Sequence, residues 1–237
     1  MWDLADTIQK MSLDMLKLLK KSGCYKLDIG GESGADDVLK EFNKGITRKM
    51  IINSVQKISH EHIIPELSFM IGMPFETGEN IKETLSLMEI LETQYPLTSI
   101  NGYFQYQPYP NTPLGAEIIR DWQLPIPQSL EEWAKNPITI PKREYFPWLT
   151  RKQYNTMMMY TSIVSYKFLY NKLVNSIESE VLWTKNIRYR VLIFAAVLLH
   201  HSLIKVSIFI RLKMGLTIFP YEWKLYRRLR DKLLKMI

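Results

Sequence analysis

Apolar and polar residues follow a repeated order of helix, turn and strand over roughly the first 115 positions. A helical spacing of leucines at Leu13, Leu16 and Leu19 ends at Ser22-Gly23, because glycine commonly terminates helices. The alternating run over 25–29 then predicts a strand. This strand leads into a glycine-rich segment over 30–34, and a short helix over 35–43 completes the first unit.

Two further runs repeat this unit. The segments 66–71 and 99–106 each predict a strand, and each ends in residues rich in glycine or proline. Helices begin after two good N-cap residues, Thr47 and Thr112. Strands separated by helices favour parallel βα units, in which the carboxyl ends of the strands carry the functional site. The pattern therefore predicts an α/β fold and places the chemistry in the strand-end loops.

The chain changes character after residue 120. Proline and tryptophan are frequent over 121–149 and periodicity is weak, which predicts an irregular connector. Helical periodicity then returns over 150–176, 187–213 and 220–236. Three strands cannot close a barrel, so the first region is expected to be one part of a larger sheet. We therefore divide the sequence into 1–120, an α/β region, 121–149, a connector, and 150–237, a helical tail.

The net charge of +7 resides in this tail. Residues 188–237 hold eleven Lys and Arg against two acids, a net +9, whereas the first 187 residues carry −2. Nucleic-acid binding by the body is therefore not favoured. The last helix is basic and amphipathic, which suits either an anionic membrane surface or packing with a solvated basic face. No signal peptide is visible, so the sequence predicts a cytoplasmic protein, peripheral to the membrane if the tail binds it.

Cys24 is the single cysteine of the chain. An iron–sulfur cluster or a Cys-rich zinc site needs three or four thiolates, so this chain alone can hold neither. Because Cys24 precedes a strand, at the end opposite to the predicted site, we expect a small buried hydrophobic residue there. The pairs His60/His62 and His200-His201 lack a third ligand and the i, i+4 spacing of helical metal sites, so no metal site is predicted.

Three motifs in order carry a resemblance to a known family. Residues 29–34, Ile-Gly-Gly-Glu-Ser-Gly, with the flanking runs 18–24 and 38–47, resemble the fourth βα unit of radical S-adenosylmethionine (radical SAM) enzymes. Residues 69–77, Phe-Met-Ile-Gly-Met-Pro-Phe-Glu-Thr, resemble the fifth strand and its Gly-x-Pro-x-Glu-Thr loop, and 106–114 resemble the proline-rich end of the sixth strand. The type most resembled has a cobalamin-binding domain and includes the anaerobic magnesium-protoporphyrin ester cyclase.

The resemblance implies half of a TIM-like (β/α) barrel, followed here by an all-helical region, and a site for S-adenosylmethionine. Glu32 and Ser33 would face the nucleoside, the Gly72 turn would lie against the adenine, and Gln107 with Tyr109 would close the other side. The implied cofactor-binding residues are Gly30, Gly31, Glu32, Ser33, Gly72, Met73, Pro74, Gln107 and Tyr109. Structural alternatives stand beside these roles. Glu32 can cap the next helix, Gly72 and Pro74 can shape a turn, and Gln107 and Tyr109 can serve packing.

The chain departs from the family in lacking the Cys-x-x-x-Cys-x-x-Cys loop that holds a [4Fe–4S] cluster. The family uses an electron from this cluster to cleave S-adenosylmethionine into methionine and a 5′-deoxyadenosyl radical. We therefore expect the carboxy-terminal portion of a radical SAM enzyme, inactive unless an N-terminal half or a partner polypeptide supplies the cluster. Cobalamin would belong to the full-length relative. The alternative is a non-catalytic module, derived from such an enzyme, that binds a membrane surface or a partner.

Overall fold

The computed structural model describes residues 2–135, 143–161 and the single positions 206 and 210. The chain divides into two compact units, Met1–Thr150 and Arg151–Ile237. The second unit begins with a helix over 151–161, as predicted. Most of the predicted tail helices lie outside the described residues, so their membrane or packing role stays a prediction. Within the described part of the chain, no helix is both long and apolar enough to cross a bilayer.

Strands and helices alternate along the first unit. The strands are β1 (Trp2–Leu4), β2 (Lys26–Glu32), β3 (Ile64–Ile71) and β4 (Ser99–Gln105). The helices are α1 (Ala5–Lys10), α2 (Leu13–Lys21), α3 (Asp36–Glu41), α4 (Arg48–His60), α5 (Gly78–Gln94), α6 (Pro113–Asp121) and α7 (Leu130–Lys135), and a 3-10 turn spans Arg143–Tyr145. The strands pair in parallel in the order β1-β2-β3-β4. The parallel α/β fold is therefore confirmed, and β1 is a further strand that the sequence did not predict.

The sheet has an apolar face and a more polar face. Buried and half-buried residues alternate along β3, as expected when successive side chains point to opposite faces. On the polar face, the Glu66 carboxylate accepts a hydrogen bond from Lys26 Nζ at 2.7 Å and lies 3.5 Å from both Ser99 Oγ and Asn101 Nδ2. The hydrogen bond to Glu66 raises the pKa of Lys26. A charged network thus occupies the polar face on the amino-terminal halves of the strands.

Two of the predicted helix starts are confirmed by their caps. Thr47 and Thr112 each accept a hydrogen bond from the amide three residues further along the chain. The start of α3 is different, because its N-cap is Ala35 and no side chain caps it. The alternative in which Glu32 caps this helix is therefore wrong: the Glu32 carboxylate pairs with a lysine instead.

Candidate functional site

Three loops meet at the carboxyl edge of the sheet. Because β2, β3 and β4 are parallel, the segments that follow them leave from the same edge. Ala35, Met73 and Tyr106, one from each loop, are buried in a single hydrophobic cluster with residues of α3 and α6. The Tyr106 amide also donates to the Ile71 carbonyl at 2.8 Å. The structure therefore brings together the three loops in which the predicted site residues lie.

A β-bulge shapes the end of β2. Gly30 pairs with Ser68 and Glu32 pairs with Phe69, so Gly31 is an extra residue with no partner on β3. A Cβ on Gly31 would lie 2.9 Å from the Phe69 ring, so the missing side chain makes room for that ring. Bulges occur often beside functional sites because they change the direction of a side chain.

Glu32 follows this bulge and has an unusual backbone. Its φ is 57°, a left-handed conformation that residues other than glycine adopt infrequently. The residue is 6% exposed, and its carboxylate forms an ion pair with Lys44 from the loop between α3 and α4. A buried carboxylate remains charged only when such a partner compensates for lost hydration. Glu32 thus places a neutralised ion pair at the end of β2.

The next residues fasten the β2 loop to α5. Ser33 is fully buried, and its Oγ lies 3.1 Å from Thr84 Oγ1 and accepts a hydrogen bond from the Ala35 amide. The Gly34 amide donates to the same threonine oxygen at 2.8 Å. A Cβ on Gly34 would lie only 2.5 Å from the Thr84 Cα. Ser33, a predicted ligand contact, therefore uses its hydroxyl within the chain.

The β3 loop turns at Gly72, whose φ of 92° suits glycine. The Gly72 amide donates to Glu76 Oε2 at 2.7 Å, and the Gly72 carbonyl accepts from Trp148 Nε1 at 2.8 Å. Met73 is fully buried and Pro74 is half-buried. Both backbone polar groups of Gly72 are thus bonded to side chains of the chain itself. The Gly72 carbonyl oxygen has a second lone pair, so the amino group of an adenine ring could donate to it while Trp148 stays bonded.

Among the residues that the structure describes, no cation pairs with Glu76 as Lys44 pairs with Glu32. Burial raises the pKa of Glu76 from 4.5 to about 7, against the opposing effect of hydrogen bonds from the Gly72 and Met73 amides. Its other oxygen, Oε1, is buried and has no hydrogen-bond partner among the described residues. A carboxyl group that titrates near neutrality is a common feature of functional sites, although ion-pair networks also produce it.

The β4 loop provides the remaining predicted residues. Gln107 is half-buried, whereas Tyr109 is 48% exposed. The Tyr109 carbonyl accepts hydrogen bonds from the Thr112 amide at 3.1 Å and from the Thr112 hydroxyl at 2.9 Å. The backbone of Tyr109 therefore helps to start α6, and its ring lies at the surface.

A cluster of metal ligands is not found in the described ranges, which include His60 and His62. Cys24 lies before the first residue of β2, at the amino edge of the sheet and away from the three loops. It is half-buried rather than buried as predicted, and its thiol donates to the Lys26 carbonyl at 3.4 Å. With one cysteine in the chain, a [4Fe–4S] cluster does not fit the residues available.

Sequence reasoning missed three residues that hold these loops, Lys44, Glu76 and Trp148. Lys44 and Glu76 stand inside the recognised motifs, so their charges were a usable signal. Trp148 is 76 positions from Gly72 along the chain, and no periodic pattern connects the two.

Comparisons with known proteins bear on the same segment. The model of the radical SAM superfamily matches residues 5–88. An uncharacterized methyltransferase of Pyrococcus horikoshii is 28% identical over 113 residues, 48% of this chain and 24% of that protein. A tRNA-2-methylthio-N(6)-dimethylallyladenosine synthase of Pelobacter propionicus is 36% identical over 38% of this chain and 20% of the enzyme. The anaerobic magnesium-protoporphyrin IX monomethyl ester cyclase of Cereibacter sphaeroides is 28% identical over 46% of this chain and 17% of the enzyme.

The fold is also similar to a solved structure. The cobalamin-dependent S-adenosylmethionine radical enzyme OxsB, with aqua-cobalamin and S-adenosylmethionine bound, superimposes with a TM-score of 0.55 and 17% identity, over 99% of this chain and 37% of OxsB. The matched segments span 17–24% of the length of the three sequence relatives, so those relatives are much longer. Residues 5–88 of this chain therefore match the model of the radical SAM superfamily, and the fold of the chain is similar to that of OxsB.

Proposed function

We propose that this chain supplies the nucleoside-binding side of a radical SAM barrel. The observation that carries this proposal is the meeting of the β2, β3 and β4 loops in one hydrophobic cluster at the carboxyl edge of a parallel sheet. Ligands of parallel α/β sheets bind at this edge. S-adenosylmethionine, which the superfamily uses, has ribose hydroxyls and an ammonium group, and a carboxylate such as Glu32 accepts hydrogen bonds from either.

The chain would act together with a second polypeptide segment that carries the cluster. A [4Fe–4S] cluster supplies the electron that cleaves S-adenosylmethionine, and its binding takes three or more thiolates. Cys24 is the one cysteine here and lies at the opposite edge of the sheet. The residues of this chain would then bind and orient the nucleoside, while the cluster ligands come from elsewhere. Cobalamin is named for OxsB, and no described residue assigns it to this chain.

Binding of S-adenosylhomocysteine, an analogue that needs no cluster, tests this function. We expect the purified chain to bind it in isothermal titration calorimetry. Glu32→Gln should weaken binding about tenfold, the usual effect of losing a charged hydrogen-bond acceptor. Glu89→Gln, on the exposed side of α5, is the matched control and should bind as the unmodified chain does. Absence of any binding by the unmodified chain would contradict the proposal.

Anaerobic reconstitution with iron and sulfide tests the second part. We expect no stoichiometric cluster on the chain alone, because one thiolate cannot hold four irons. Iron and sulfide are quantified after desalting, and Cys24→Ser serves as the control. A cluster at about one per three or four chains that is lost in Cys24→Ser would show that copies of this polypeptide can hold a cluster between them, and would overturn the need for a separate segment.

A further inference from the structure

The Gly72 peptide is held from both sides by side chains of this chain. Glu76, four residues later, accepts from the Gly72 amide. Trp148, from the segment predicted as a connector, donates to the Gly72 carbonyl. A positive φ lies in a region where glycine has wide freedom, so glycine alone does not fix the peptide orientation. The two side chains therefore determine which way this peptide faces.

Trp148 is itself fixed by aromatic neighbours. Its ring packs edge to face with Phe146 at a centroid separation of 5.7 Å and with Trp122 at 6.1 Å. It also packs against the hydrophobic cluster formed by the three loops. Such aromatic pairs add stability beyond their buried area. They hold the indole ring in place while its N–H donates to the Gly72 carbonyl. The connector thus contacts the carboxyl edge of the sheet through Trp148, whose indole both packs there and donates a hydrogen bond.

We propose that Trp148 is a positioning residue for the nucleoside site, which it serves by orienting the Gly72 peptide. This inference rests on the proposed function, because it concerns the same site. Recognition of a flat heteroaromatic base by a backbone peptide requires that the peptide N–H and C=O point in fixed directions. Loss of the indole donor leaves the carbonyl side of this peptide without its partner. The 121–149 segment then contributes to ligand affinity although it lies outside the three βα units.

Two variants separate this role from packing. Trp148→Phe removes the N–H donor and replaces the indole by a smaller ring. In contrast, 3-benzothienylalanine at position 148 keeps the shape of the indole and replaces its N–H by sulfur. Trp133→Phe, a tryptophan on α7 outside this aromatic cluster, is the control. We expect both changes at 148 to weaken S-adenosylhomocysteine binding about threefold to tenfold and to speed amide hydrogen exchange at Gly72. Trp133→Phe should leave both measurements unchanged.

The outcomes are distinguishable. If the unmodified chain binds the analogue and the benzothienyl variant binds equally well, Trp148 is not a positioning residue, and the proposed function stands. If the unmodified chain does not bind the analogue, the proposed function fails and this inference fails with it. A merely structural role would lower the urea unfolding midpoint of the benzothienyl variant and raise exchange across the whole sheet, which would also overturn the proposal.

Discussion

Two glutamates lie at or just after the carboxyl ends of neighbouring strands, and their surroundings differ. Glu32, at the end of β2, is 6% exposed and is paired with Lys44. Glu76, in the loop after β3, accepts from the Gly72 amide, and its pKa is raised to about 7 by burial. The first carboxylate has a cation beside it, Lys44. The second meets backbone amides, which stabilise the ionised form less than a full positive charge does.

This difference shows that the residue type at a strand end does not determine which partners its side chain meets. Both loops contain a glutamate near glycine, and both belong to motifs with the same family resemblance. The two carboxyl groups differ in their partners, and for Glu76 burial raises the pKa to about 7. The following predictions test this contrast, beginning with the largest expected effect.

Removal of the cation at Glu32 should have the largest effect. Lys44→Met leaves the carboxylate buried and unpaired, and we expect the free energy of unfolding to fall by roughly 3 kcal/mol. Urea denaturation monitored by circular dichroism measures this change. Lys40→Met, an exposed lysine on α3, is the control and should change stability by less than about 0.5 kcal/mol. Equal loss in the two variants would show that the Glu32–Lys44 pair contributes nothing specific.

The backbone attachment of the β2 loop should be the next most sensitive feature. Gly34→Ala places a Cβ 2.5 Å from the Thr84 Cα, so the loop must move away from α5. We expect a loss of about 2 kcal/mol, typical of overpacking. Gly78→Ala is the matched control, since no atom lies within 4 Å of its Cβ position. A Gly34→Ala protein as stable as Gly78→Ala would contradict the close packing of the loop on α5.

The titration of Glu76 should produce a smaller effect that depends on pH. Its folded pKa of about 7 lies above the ordinary 4.5, so the folded chain binds more protons than the unfolded chain between these values. The contribution of Glu76 to stability is therefore greatest below about pH 4.5 and falls as the pH rises to about 7. Between these pH values the free energy of unfolding should decrease by about 1–2 kcal/mol less in Glu76→Gln than in the unmodified chain. Urea denaturation across that range measures the difference.

The Glu76 comparison has its own control. Glu79→Gln alters a carboxylate that is 70% exposed at the start of α5, and it should keep the pH dependence of the unmodified chain. If Glu76→Gln also keeps that dependence, Glu76 ionises normally and the contrast between the two glutamates disappears.

The sequence predicted the parts of the fold that depend on local pattern. Alternating apolar residues located β2, β3 and β4 to within a few positions, and threonine caps located α4 and α6. The sequence did not predict β1, because a strand of three residues is too short to show an alternation of apolar and polar side chains. The irregular character predicted for 121–149 also hid α7, whose six residues are too short to display a helical repeat.

The candidate site was predicted less completely, because its contacts are not local. The motifs indicated the loops that contain Glu32 and Gly72, but not the partners of these residues. Lys44 is 12 positions from Glu32, and Trp148 is 76 positions from Gly72. A sequence pattern reports which face a residue occupies, whereas a pairing between loops depends on tertiary packing. The burial of Ser33 and its bond to Thr84 could not be inferred for the same reason.

The unpaired residue at Gly31 also constrains how this loop can change in length. Deletion of one residue between Gly30 and Glu32 would restore strict pairing with β3 and draw Ser33 and Gly34 back along the strand. Their amide and hydroxyl groups would then lose register with Thr84 on the neighbouring helix. The pairing of β2 with β3 therefore disfavours an insertion or a deletion at this point, even where a substitution would be tolerated.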